Sequence, residues 1–285
     1  MSSLFSGLEK FGISNISNIE ETELFGKEED SKIEKAEEKK PANVLGEQDM
    51  LFDKHYRCPV CDTDFKSKCV MSGKAKLIAT DSDLRPRYQG IDCIKYDVVV
   101  CNHCGYAALT RFYNMITTAQ AKLVKENISG SFKPIESESD TYSYDDAILR
   151  YQLALANTMV KRGRASEKAY TCLKIAWLYR GKAESLDETD IDYATKMEEI
   201  TEEEEKFITS AYEGFTLAME KEAFPICGMD ESTYIYVLAD LARRCKDYEI
   251  AIKLISQIVV SRSASAKVKD RARELKEIIR EELKN

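Results

Sequence analysis

The chain of 285 residues is long enough for one large domain or two smaller ones, and 44% hydrophobic residues can supply a packed core. The net charge is −8, and no stretch approaches the roughly 20 apolar residues that cross a bilayer, so we expect no membrane span. The first residues, MSSLFSGLEKFGISN, lack the basic and long apolar regions of a secretory signal, which predicts a cytoplasmic protein.

Residues 1–49 are predicted to form a disordered acidic leader. They contain 12 acidic and 6 basic residues, and they have too few large apolar residues to offset the entropy lost on folding. One short segment differs, because Leu4, Phe5, Leu8 and Phe11 recur at helical spacing. That segment is either a short amphipathic helix or part of the disordered leader.

Residues 50–105 are predicted to contain short strands and turns. FKSKCV alternates, KAKLIAT is a short apolar run, and IKYDVVVC is rich in β-branched residues. The polar sequence DSDLRPRYQG separates the last two as a loop. Strands this short bury little apolar surface, so we expect another interaction to stabilise this module.

Two Cys-x-x-Cys pairs supply that interaction. CPVC contributes Cys58 and Cys61, and CNHC contributes Cys101 and Cys104. A Cys-x-x-Cys pair on a tight turn directs two thiolates to one metal, and two such knuckles complete the tetrahedral set that Zn²⁺ accepts. The sequence therefore predicts one structural Zn²⁺ in a zinc-ribbon-like module over residues 50–105.

Other uses of these cysteines are weaker alternatives. Nine cysteines, an odd number, fit poorly with a disulfide framework, and no βαβ pattern supports a thioredoxin-like redox site. The spacing also allows an iron–sulfur cluster. His55 and His103 lie near the pairs as less favoured replacement ligands, and the other five cysteines are expected to be small buried residues.

Residues 106–285 are predicted to be a helical domain. A helical spacing runs from Tyr106 to NISGS, and further helices are predicted at 143–161, 165–182, 194–223, 230–245, 248–261 and 265–283. A small–large–small rhythm recurs at Ala147, Tyr151 and Ala154, at Ala211, Phe215 and Ala218, and at Ala251, Ile255 and Ile258. It favours an antiparallel, tetratricopeptide-like array of helical hairpins, with a plain helical bundle as the alternative. The fold class is thus mainly α with a small β zinc ribbon.

The chain contains, in order, the motifs CPVC, DSDLRPRY and YDVVVCNHCGYAA, followed by helices. In this combination it resembles the bacterial family called domain of unknown function 2225. The resemblance covers about residues 50–260. It implies a bacterial cytosolic protein with zinc-ribbon-like and repeat-like helical parts, and it implies no activity.

Three functions remain open at this stage. Helical arrays present extended surfaces to proteins, which favours a non-enzymatic adaptor whose partner contacts include Tyr234, Arg243 or Arg244. The alternative is nucleic-acid binding, since residues 51–115 carry 10 basic and 7 acidic side chains. Whether the partner is a protein or a nucleic acid, the DSDLRPRYQG loop is predicted to contact it. The candidate recognition residues are Asp81, Asp83, Arg85, Arg87 and Tyr88. The third is a metal-dependent enzyme in which Asp81, Asp83 and Asp92 hold Mg²⁺.

Overall fold

A computed structural model describes residues 46–135 and 139–284. Most of the predicted leader, including the segment from Leu4 to Phe11, lies outside the described residues. Within the described ranges the chain forms six strands and seven α-helices. No helix there is long and apolar enough to cross a membrane.

The strands form three separate two-stranded antiparallel hairpins. β1 (Leu51–Arg57) pairs with β2 (Asp64–Val70), β3 (Leu77–Thr80) with β4 (Pro86–Tyr88), and β5 (Val98–Val100) with β6 (Ala107–Leu109). β3 and β5 lie within the predicted strand segments, and β2 begins one residue before its predicted segment. Before β5, residues Cys93–Tyr96 form a turn of 3₁₀-helix instead, because the Asp92 carboxylate caps it by accepting a hydrogen bond from the Ile94 amide at 3.0 Å.

The prediction of a helix that starts at Tyr106 is wrong for the first half of that segment. Residues 107–109 form β6, and α1 spans only Thr118–Val124, where Thr117 and Gln120 form a capping box. Tyr106 to Leu109 are at most 1% exposed. Their apolar character reflects burial on all sides rather than one face of a helix. The domain boundary predicted between residues 105 and 106 consequently falls inside the β5–β6 hairpin.

The remaining helices follow the prediction within two residues at each end. They are α2 (Tyr144–Val160), α3 (Ala165–Glu184), α4 (Tyr193–Lys221), α5 (Glu231–Arg244), α6 (Tyr248–Val260) and α7 (Ala266–Glu282). Side chains of Ser143, Asp230, Asp247 and Ser265 accept hydrogen bonds from first-turn amides of α2, α5, α6 and α7. Local sequence signals therefore set these boundaries.

One hydrophobic core joins the cysteine module to the helices. It runs from Cys58 and the β5 valines through β6 and α2 to α7. Residues of the predicted rhythm belong to it: Ala251, Ile255 and Ile258 are at most 1% exposed, which confirms them as core residues. The fold is mainly helical with small antiparallel strand pairs and a cysteine cluster, as predicted; the tetratricopeptide-like arrangement stays a prediction.

Candidate metal centre

The four cysteines of the two Cys-x-x-Cys pairs converge on one point. Their Sγ atoms all lie within 4.8 Å of one another. Two cross-pairs are closer: Cys58 to Cys104 and Cys61 to Cys101, each with 3.6 Å between Sγ atoms. A tetrahedral zinc centre with Zn–S bonds of about 2.3 Å places its sulfurs about 3.8 Å apart. The set has the donor type, number and spacing to hold a metal ion.

The two knuckles have the same backbone geometry. In the first knuckle the Asp62 amide donates to the Cys58 carbonyl, and the Cys58 amide donates to the Thr63 carbonyl. In the second, the Gly105 amide donates to the Cys101 carbonyl, and the Cys101 amide donates to the Tyr106 carbonyl. These hydrogen bonds measure 2.9 and 3.0 Å in the Cys58 knuckle and 2.9 and 2.8 Å in the Cys101 knuckle. The fourth residue has a positive φ in both, 61° at Asp62 and 74° at Gly105. Matching turns at the tips of two hairpins thus present matching pairs of thiols.

The second knuckle is fixed by the surrounding structure. A Cβ atom built on Gly105 would lie 2.5 Å from the Phe132 ring, so glycine is required for space, and it also adopts the positive φ without strain. The buried amide of Asn157, on α2, donates to the Gly105 carbonyl at 2.9 Å. Cys104 is 4% exposed and Cys101 is fully buried. The ligand geometry is therefore held by the helices as well as by the turn.

The thiols influence one another strongly. Side-chain hydrogen bonds with Cys101 and Cys104 lower the pKa of the Cys58 thiol, whereas those with Cys101 and Cys58 raise the pKa of the Cys104 thiol. The Cys58 thiolate is stabilised while the Cys104 thiol keeps its proton, because four adjacent thiolates would repel each other. A central dication offsets that repulsion and allows all four to ionise.

The alternative ligands do not join the cluster. His55 and His103 are exposed, on β1 and at the outer side of the second knuckle. Cys172 and Cys227 are buried in the helical part of the core, where desolvation raises the pKa of Cys227 to about 12. Cys69 and Cys93 lie near the 3₁₀ turn, away from the four ligands, and Cys245 follows α5.

The DSDLRPRY loop contacts α3 and α5 through charged side chains, and Glu204 of α4 pairs with the arginines of those two helices. We name the set the arginine–carboxylate cluster; it consists of Asp81, Asp83, Arg85, Arg87 and Asp92 with Arg180, Glu184, Glu204, Asp240 and Arg244. Asp83 has no exposed surface and accepts hydrogen bonds from Arg180 Nη2 at 2.7 Å. Arg244 Nη2 lies 3.3 Å from the same carboxylate. Asp83 thereby links the loop to α3 and α5.

Arg85 and Arg87 belong to the same cluster. Arg85 is 3% exposed; its Nη1 donates to Glu184 at 3.1 Å and its Nη2 to Asp92 at 3.3 Å. Arg87 donates to Glu184 at 2.6 Å and to Asp81, with its side chain 37% exposed. Asp83 and Arg85 are buried although the loop is polar, because arginines of α3 and α5 pair with Asp83 and the carboxylates of Glu184 and Asp92 pair with Arg85. A recognition role for the partly exposed Arg87 and Tyr88 stays a prediction.

The predicted partner contacts on α5 are also placed differently. Tyr234 is fully buried, and its hydroxyl donates to the Phe215 carbonyl at 2.6 Å. Arg243 pairs with Asp240 at 2.9 Å and with Glu282 at 2.5 Å, and Arg244 pairs with Asp240 and Asp83. This face of α5 lies against other parts of the chain, which contradicts its assignment as a binding face.

Several residues of the site carry no signal that sequence reasoning can use. Asn157 is an ordinary polar position of a helix, more than 50 residues from the knuckle that it contacts. Arg180 and Glu184 are equally ordinary and lie about 100 residues from the loop that they contact, and Glu204 reaches the cluster only through Arg180 and Arg244. Their role follows from packing alone.

A family model described as "Uncharacterized protein conserved in bacteria (DUF2225)" matches residues 51–279. The match includes both knuckles, the DSDLRPRY loop and helices α1 to α6 completely. Comparisons with curated proteins and with solved structures give no match.

Proposed function

The chain belongs to this uncharacterised bacterial family, and from that premise we propose that it is a cytoplasmic zinc-binding adaptor. One Zn²⁺ held by Cys58, Cys61, Cys101 and Cys104 stabilises the β module against the helices, and the helical array binds a protein partner. The observation that carries this proposal is the closed four-thiol set. Four protein ligands fill a tetrahedral zinc site and leave no position for a substrate or water, which is the arrangement of a structural rather than a catalytic zinc.

The packing of the helices supports an array of hairpins. From α2 to α7 each helix packs against the next, and α5 also contacts α7. The connections at residues 245–247 and 261–265 are short, which favours antiparallel neighbours. A helix that contacts both its own partner and the first helix of the next unit is the arrangement of a tetratricopeptide-like stack. Such stacks bind peptides and helices on extended surfaces.

Exposed apolar side chains on the last two helices indicate where a partner binds. On α6, Ile250 is 36% exposed and Val260 is 78% exposed. On α7 and directly after it, Ile278 is 37% exposed and Leu283 is 58% exposed. Large apolar side chains left in water on two packed helices favour association with another protein. We assign the partner surface to α6 and α7 for this reason.

The other two functions receive less support. The guanidinium groups of Arg85 and Arg87 are paired with carboxylates of the same chain, so they are poor donors for phosphates. Asp81, Asp83 and Asp92 each pair with an arginine, and carboxylates compensated in this way have little negative charge left for Mg²⁺.

The test is affinity capture from a native host with the tagged full-length protein. We expect a reproducible protein partner that is retained by the wild type and lost with the double variant Val260→Glu/Ile278→Glu. Ile191→Glu is the matched control, because Ile191 is 99% exposed in the loop between α3 and α4. Equal capture by all three proteins would contradict the assignment of the surface, and no specific partner for the zinc-loaded wild type would contradict the adaptor role.

A further inference from the structure

A cleft of about 400 Å³ lies beside the cysteine module. The β1–β2 hairpin forms one wall, β4 forms the other, and the floor is made by residues 93–97 and by Lys174 of α3. Its volume falls within the range of about 300–1,000 Å³ that is typical of small-molecule sites. None of the zinc ligands lines it.

Aromatic rings stand on both walls. Phe52 and Tyr56 lie on the same face of β1, because side chains two apart in a strand point the same way. Tyr56 is held in place by stacking on Phe65, with ring centroids 5.9 Å apart. Phe52 is 42% exposed, and Tyr88 of β4 lines the opposite wall. Aromatic rings lining a cleft from two hairpins favour a planar ligand.

The charges of the cleft favour an anion. Lys174 and Asp97 form an ion pair in the floor, with side chains 10% and 31% exposed, and present an ammonium and a carboxylate in fixed positions. Lys54 lies on the same face of β1 as the rings, with its Nζ 5.2 Å from the Tyr56 centroid. It has no carboxylate partner in the described part of the chain. Among the described residues, the charged groups of the lining are two ammonium groups, Lys54 and Lys174, and one carboxylate, Asp97.

Two thiols also line the cleft, but they do not make it a reactive site. Cys93 is half-buried, and desolvation, followed by the nearby Asp92, raises the pKa of its thiol to about 12, so it is protonated at neutral pH. The Cys69 Sγ lies 3.3 Å from the Tyr56 hydroxyl. These sulfur atoms add polarizable surface beside the rings.

We infer that this cleft binds a nucleotide, either free or at the end of an RNA strand. The base lies between the ring of Tyr88 and those of Phe52 and Tyr56, where every base offers a flat face for stacking. The Lys174–Asp97 pair offers hydrogen bonds to the base edge or ribose, and Lys54 receives the phosphate. This site is separate from the partner surface on α6 and α7, and the inference does not depend on the adaptor role.

The test is calorimetric titration of the zinc-loaded full-length protein with AMP, GMP, CMP and UMP at low salt. We expect saturable binding of at least one, and weaker binding of the matching nucleoside and of ribose 5-phosphate. Lys54→Ala should weaken binding about tenfold, as expected for the loss of one charged hydrogen bond. Phe52→Ala should weaken it by a similar factor through lost stacking.

Two control variants distinguish a loss of binding at the cleft from a general effect of removing an exposed side chain. Lys66→Ala removes an exposed lysine from the opposite face of the same hairpin, and Met115→Ala removes an apolar side chain that is 49% exposed elsewhere. Both should bind like the wild type, and all four variants should keep their zinc and melting temperature. A 5′-phosphorylated triadenylate distinguishes a free nucleotide from the end of an RNA strand as the natural ligand. If it binds more tightly than AMP, the ligand is a strand end; if it binds equally or more weakly, the ligand is a free nucleotide.

Three results would overturn the inference. The first is no saturation by any mononucleotide or by the triadenylate at millimolar concentration. The second is binding that Lys54→Ala and Phe52→Ala leave unchanged, and the third is binding that Lys66→Ala weakens equally. Neither of the first two bears on partner capture by α6 and α7, so failure here and failure of the adaptor role are distinguishable.

Discussion

Asn157 donates one hydrogen bond from Nδ2 to the Gly105 carbonyl and another to the Leu153 carbonyl, each at 2.9 Å. One fully buried side chain of α2 thereby ties the second cysteine knuckle to the helical core. The metal centre and the helices should therefore respond together when either is disturbed.

We expect Asn157→Ala to lower the free energy of unfolding by about 1–3 kcal/mol, because it leaves the buried Gly105 carbonyl without this donor. It should also speed zinc transfer to a chelator, measured by absorbance of the chelator complex. Asn127→Ala is the control: Asn127 donates to the Leu123 carbonyl at 2.8 Å but is exposed. Equal rates of zinc transfer in both variants would contradict the link between α2 and the knuckle.

Elemental analysis of protein purified without added metal should find about one zinc per chain. Cys104→Ser should reduce that content to near zero and lower the melting temperature of the whole chain, because the cysteine module and the helices share one core. Cys172→Ser, at a buried cysteine outside the cluster, should keep the zinc. Iron with a charge-transfer colour in the wild type would contradict the assignment of zinc.

Gly105→Ala should destabilise the fold by more than the about 1–2 kcal/mol that a left-handed backbone conformation costs an ordinary residue, because its Cβ also meets Phe132. Gly73→Ala isolates the backbone cost, since Gly73 has φ 77° with nothing within 4 Å of an added Cβ. Chemical denaturation of both variants measures the difference. If the two lose equal stability, the contact with Phe132 contributes nothing.

Arg85→Ala and Arg87→Ala should differ in their effect on stability. Removing Arg85 takes the arginine partner from the Asp92 carboxylate and leaves Glu184 paired only with the partly exposed Arg87, and it should cost about 3 kcal/mol. Arg87 is 37% exposed in its side chain, and water screens its charge, so its removal should cost about 1 kcal/mol. Melting curves of the two single variants give the comparison. A larger loss from Arg87→Ala would contradict this ranking of the two arginines.

Acid should weaken the arginine–carboxylate cluster in a defined pH range. Burial alone would raise the pKa of Asp83, but Arg180 and Arg244 outweigh it and lower that pKa from 3.8 to about 2. A lowered carboxyl pKa stabilises the fold above the unfolded pKa, so this contribution is lost as pH falls from about 4 to about 2. Stability measured against pH should show this loss in the wild type.

Asp83→Asn should reduce the slope of stability against pH in that range and should destabilise the fold at neutral pH. Asp270→Asn is the control, because the Asp270 side chain is 62% exposed in its pair with Arg273. An unchanged slope in Asp83→Asn would assign the acid sensitivity to other carboxylates.

The sequence by itself determined the features that depend on neighbouring residues. The Cys-x-x-Cys spacing encodes two tight turns, so the sequence alone identifies the four thiols of the candidate centre. Helices α2 to α7 follow from apolar spacing and from caps such as Ser143 and Asp230, which act within one turn. Their boundaries were predicted within two residues for this reason.

Only the tertiary structure decided the features that depend on residues far apart in the chain. Residues 106–109 have apolar spacing that fits a helix, but β5 offers them a strand partner and the core buries them on all sides. Asp83 and Arg85 look like solvated loop residues until Arg180 and Glu184, about 100 residues later, bring opposite charges to them. The energy of burying a charge depends on partners that the fold brings together, and local sequence does not contain that information.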